Sequence, residues 1–142
     1  MSHPARQNQP STPIVPAVEK RTDIRVVGAA LYLLPVHTRV PLKFGSETLT
    51  SVTCARVRLE VRDREGRTAC GWGETPLSVQ WAWPSALSSA ERHESMVRFC
   101  KELVSAWSEI EAWGHPLEVG HHFIQTVLPA LRLRFNDGLD AA

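Results

Sequence analysis

The stretch Ala55 to Arg62 limits the possible folds of this chain more than any other part of it. Ala55, Val57, Leu59 and Val61 alternate with Arg56, Arg58, Glu60 and Arg62. A period of two places apolar side chains on one face of an extended segment and charges on the other, which marks an antiparallel strand with one wet face.

The flanking residues predict what this strand pairs with. Asp63-Arg64-Glu65-Gly66 suits a tight hairpin, with Asp starting the turn and Gly able to take the positive φ that a bulged type I turn needs. Arg67 to Glu74 then returns as a strand, weakened by Gly71 and Gly73. Upstream, Ile24 to Val36 is rich in Val, Leu, Ala and Tyr and reads as a first strand stopped by Pro35. Between these, Thr38 to Thr48 carries Arg39, Pro41, Lys43, Phe44 and Gly45, which break both periods and predict a long loop. The three strands make a meander.

Helices follow. Ser88 and Glu91 have capping-box spacing. Met96, Cys100, Leu103, Trp107 and Ile110 recur at steps of three and four as one apolar stripe, and Gly114-His115-Pro116 ends the pattern. Leu117 to Leu128 predicts a second helix, with a kink or a fresh short helix from Pro129 to Phe135 and a stop at Asn136-Asp137-Gly138. Strands first and helices after them indicate an α+β fold: a three-stranded antiparallel meander followed by a small helical bundle. Residues 1–22, with Pro4, Pro10, Pro13 and Pro16 among polar residues, read as a disordered leader, 23–136 as one domain and 137–142 as a tail.

Composition narrows the function. A formal net charge of +1, with arginines spread among acids and apolar residues, argues against nucleic acid as a partner. The longest apolar run, Val26 to Val36, is too short to span a bilayer, so no membrane partner is expected. Cys54, Cys70 and Cys100 form no Cys-x-x-Cys pair, and the start of the chain has no signal core, which together predict a soluble cytoplasmic protein with reduced thiols.

Few constellations carry chemistry. His115, Glu118, His121 and His122 are the one cluster of metal-ligand types, but a first-turn Glu and surface histidines also serve a helix start, and that structural role is preferred over a metal-dependent hydrolase. Gly71-Trp72-Gly73-Glu74 lacks the third glycine and the following helix of a dinucleotide loop. No nucleophile elbow or triad is identifiable, so no catalytic residue is nominated. Trp72, Trp81 and Trp83 lie close together in sequence, bracketed by Pro76 and Pro84, and form either a packing plug or a ligand wall.

Three pieces in order carry a resemblance: Arg39-Val40-Pro41-Leu42-Lys43-Phe44-Gly45 after the first strand, Val57 to Gly66 with its Asp-x-x-Gly hairpin, and Gly71-Trp72-Gly73-Glu74-Thr75-Pro76. Across about Asp23 to Phe135 the chain resembles the amino-terminal capping domain of the mandelate racemase and muconate lactonizing enzymes of the enolase superfamily. The resemblance implies a lid over a (β/α) barrel, isomerase or lyase chemistry by α-proton abstraction next to a carboxylate, and a homo-oligomer in the full enzyme. The catalytic residues and the magnesium ligands belong to that barrel, expected beyond Ala142, so no cofactor, metal or activity is expected of this chain alone. The implied substrate-binding lid residues are Arg39, Lys43 and Phe44 in the first loop, and Gln80, Trp81 and Trp83 in the loop after the third strand. Arg39 and Lys43 suit a substrate carboxylate, and equally a salt bridge to the barrel. The alternative is a stand-alone module that binds a small molecule or a protein through the Trp81 and Trp83 wall.

Overall fold

The computed structural model describes residues 19–44, 47–79 and 86–140. Most of the expected leader, Met1 to Val18, lies outside them. Glu19 to Thr22, also placed in the leader, are part of the fold: the Lys20 amide donates to Asp23 Oδ2 at 2.9 Å, and the Lys20 ammonium pairs with Glu118.

Strands β1 (Ile24–Phe44), β2 (Glu47–Asp63) and β3 (Thr68–Pro76) form an antiparallel sheet in the order β1-β2-β3. Gly66 closes the second hairpin at φ 86°, where a side chain would be strained. Its amide donates to the Asp63 carbonyl, while both Asp63 carboxylate oxygens accept from Arg67, at 2.8 and 2.6 Å. The alternation of β2 is realised as expected. Leu59 and Val61 join the core, and on the opposite face Arg56 pairs with Glu74 and Arg58 with Glu60.

The first strand does not stop at Pro35, and the described residues of the expected loop, 38–44 and 47–48, are strand. Pairing continues through Pro35↔Thr53 and His37↔Ser51, slips, and resumes at Leu42↔Leu49 as far as Phe44↔Glu47. Thr38 to Pro41 bulge out within the slip, and the Thr38 hydroxyl donates towards the Leu49 and Thr50 carbonyls at 3.3 and 3.2 Å. Proline and the period break therefore mark a bulge, which interrupts a ladder without ending it. A second slip, between Val26 and Gly28, keeps Val26 and Ala29 on the core face despite their odd spacing.

Helix α1 (Ser89–Glu109) starts at the expected capping box, with Ser88 Oγ accepting from the Glu91 amide and the Glu91 carboxylate from the Ser88 amide. It ends one turn before Gly114. Ile110 leaves the helix in an extended conformation and is buried in the core, and Gly114 exchanges two backbone hydrogen bonds with Ile24, at 2.9 and 3.1 Å. A Cβ on Gly114 would lie 3.2 Å from Glu118, so the close approach favours glycine. Trp113 beside it is flanked by the Arg25 and Arg64 guanidinium groups.

Helix α2 (Pro116–His122) passes through a π-helical turn, Phe123–Val127, into α3 (Leu128–Asp140). The Leu128 amide reaches back five residues to the Phe123 carbonyl. This widening falls one turn before Pro129, where a proline ring crowds the regular helix. Asn136-Asp137-Gly138 does not stop α3. Gly138 has no positive φ, and the helix runs to Asp140, into the expected tail.

The core is Val26, Ile110, Val119 and Phe123, with Leu59, Val61, Leu103 and Trp107 packed against it. It lies between one end of the β1–β2 hairpin and the helices. No described helix is long and apolar enough to cross a membrane.

Candidate functional site

The opposite end of the sheet carries the described lid candidates, Arg39, Lys43 and Phe44. Beyond Pro35 and Thr53 the two long strands project past the core, and the chain leaving β3 turns under them. The Leu77 amide donates to the Thr53 carbonyl at 2.8 Å, and Leu77 and Val79 are buried. The first turn of α1 closes the far side. Arg92, itself buried, donates to the Val79 carbonyl at 3.3 Å and to Ser89 Oγ at 3.2 Å, tying the helix start to the segment after β3.

A cleft of 390 Å³ opens between these elements. Pro35, Leu49, Leu77 and Val79 give it an apolar floor, and His37, Ser51, Thr53, Ser89 and His93 supply polar groups. A few hydrogen-bonding groups on an apolar wall are the usual make-up of a small-molecule site. A larger cleft of 570 Å³ lies at the core end, lined by Arg25, Arg62, Glu109 and Glu111. It is more polar and lies at the other end of β1 from Arg39 and Lys43, so the smaller cleft is the better candidate.

The bulge adjoins the candidate cleft. His37, Leu49 and Ser51 flank the slip in register and also line the cleft, and Arg39 is one of the residues bulged between His37 and Leu42. Lys43 lies further along β1; both side chains are exposed, and neither forms an ion pair among the described residues. Phe44 ends β1. Gln80, Trp81 and Trp83 lie outside the described residues. Trp72 stands apart from the cleft, 59% exposed on β3, with its ring 5.7 Å from that of Tyr32.

The His115 to His122 segment has a structural job. His115 Nδ1 accepts from the Leu117 amide, and the Glu118 carboxylate accepts from the His115 amide and from Lys20, forming the capping box of α2. The Lys20 hydrogen bond and the His115 amide hold Glu118 below the usual carboxylate range. Among the described residues no three His, Cys, Asp or Glu side chains converge as metal ligands.

His37 and His93 were not legible as a pair. They are distant in sequence and adjoin one cleft only because α1 starts where β1 passes the end of the core. The available signal was weak: a histidine just before the period break, and another one turn into a capped helix. In comparisons with known proteins, no family model, no curated protein and no solved structure matches this chain.

Proposed function

We propose that this chain is a substrate-capping domain of the mandelate racemase and muconate lactonizing type, a lid that works on a (β/α) barrel. One observation carries the reading: the Thr38 to Pro41 bulge, which breaks the β1–β2 ladder beside the cleft lined by His37, Ser51 and His93. Bulges re-aim side chains and recur beside active sites. Here the bulged residues include Arg39, and the strand beyond them carries Lys43 and Phe44. The α+β arrangement, a meander followed by helices with its projecting end free of the core, suits a lid.

In this reading the barrel supplies magnesium and the base that removes the α-proton. This chain supplies cations for the substrate carboxylate and a wall that keeps water out. The segment after β3, with Gln80, Trp81 and Trp83, is the second part of the lid. A lid group that holds the ground state and transition state alike sets affinity more than the chemical step.

The test is kinetic. With a barrel supplied, Arg39→Ala and Lys43→Ala should raise KM for a carboxylate substrate by about tenfold, a loss of roughly 1.4 kcal/mol of binding, and leave kcat within about twofold. Unchanged KM in both variants would remove the two cations from the lid. A stand-alone binding module would need a ligand for the chain by itself, which calorimetry against small carboxylic acids reads directly.

A further inference from the structure

At the core end of the sheet two arginines oppose each other. Arg25 and Arg62 are register partners on β1 and β2, so their side chains leave the same face of the sheet side by side. Like charges set directly opposite destabilise a pair of strands. Elsewhere on β2 and in the turn after it the chain neutralises its arginines: Arg56 pairs with Glu74, Arg58 with Glu60, Arg64 with Glu19 and Arg67 with Asp63. Among the described residues neither Arg25 nor Arg62 forms an ion pair.

Both line the cleft of 570 Å³, which opens where the chain leaving α1 passes β1 and Gly114 bridges Ile24. The end of α1 brings Glu109 and Glu111 to the same cleft, and these carboxylates also stand outside every ion pair among the described residues. Glu109 accepts only from its own helix, from the Ser105 hydroxyl at 3.2 Å. Two cations and two anions therefore share one cleft without closing on each other. Trp113 braces one of the cations, its ring centroid 5.4 Å from the Arg25 guanidinium. Val27, which has no partner in the register, lines the cleft too, so the β1 slip falls at this point as the other falls at the smaller cleft.

We infer that this cleft binds a small zwitterion, a free amino acid or short peptide, with its carboxylate on Arg25 and Arg62 and its ammonium at Glu109 and Glu111. Two neighbouring guanidinium groups suit a carboxylate, which accepts from both and offsets their repulsion. The four lining charges sum to zero. An anion alone would leave the glutamates unanswered and a cation alone the arginines, so charge complementarity selects a ligand that carries both signs. The inference does not rest on the capping reading.

Amide-detected NMR titration of the full chain with glycylglycine tests it. The controls are N-acetyl-glycylglycine, which keeps only the carboxylate, and glycylglycinamide, which keeps only the ammonium. Glycylglycine should give saturable shifts at Val26, Val27 and Ser108 to Glu111, and each blocked peptide should bind at least about tenfold more weakly. Arg62→Gln and Glu111→Gln should each weaken glycylglycine at least about fivefold. Both positions are exposed, so thermal melts should show both variants folded. Arg62→Gln removes a repulsion and should leave the melting temperature unchanged or raise it. A clear fall would mean that Arg62 is neutralised inside the chain, and would overturn the inference. So would the absence of saturable shifts, a blocked peptide that binds as tightly as glycylglycine, or binding indifferent to both substitutions.

Discussion

Phe123 is the side chain on which the helical half closes. It is 3% exposed, and its ring lies parallel to that of Trp107, with centroids 4.0 Å apart and planes 6° apart. Phe123→Ala should cost about 3–5 kcal/mol by urea denaturation, the range for a buried aromatic. Trp107, only partly buried, should cost less on truncation. Charge acts at the same scale through Glu118, whose carboxyl Lys20 and the His115 amide hold below its ordinary value of 4.5. Because the folded value is the lower one, the contribution is present above the unfolded pKa and is lost as pH falls through the folded pKa. Glu118→Gln should therefore lower stability at neutral pH and flatten its decline in acid. Denaturation curves at the two pH values read both effects, which should be small because the pair is exposed.

Local rules decide some elements, and the start of α1 is one. Ser88 and Glu91 bond each other's backbone amides, so Ser88→Ala should cost about 1 kcal/mol and fray the first turn, visible as faster amide exchange there. The alternation in β2 and the Asp63 to Gly66 turn are equally local, and they were legible in the sequence for that reason. The bulge was not. Arg39, Pro41 and Lys43 break a strand pattern in the same way whether the chain leaves the sheet or only slips in it. Pairing with Glu47 to Leu49 decides that outcome, and it depends on residues across the hairpin. The Thr38 hydroxyl, which reaches two carbonyls at the slip, gives a handle on it. Thr38→Val should cost about 1 kcal/mol and loosen amides at Thr48 to Thr50 without disturbing the core end. Helix ends depart from the sequence pattern for a related reason: Gly114 serves its bridge to Ile24, and Gly138 remains helical. The candidate site was legible only in part, since Arg39 and Lys43 stand out by type while His37 and His93 meet only through the fold.

At the scale of the whole molecule, the chain is built unevenly. Among the described residues the helices pack the core end of a long hairpin, while the bulged Arg39, Val40 and Pro41 and all of β3 stay exposed. That design suits a part made to sit on something else, as the capping proposal requires. The most direct measurement is α-proton exchange of a small carboxylic acid in deuterated buffer with magnesium, followed by proton NMR. It compares the purified chain, a muconate lactonizing-type barrel stripped of its own cap, and the two combined. No exchange by the chain alone is expected, and faster exchange by the mixture than by the stripped barrel. Exchange by the chain alone, or a mixture no faster than the stripped barrel, would contradict it.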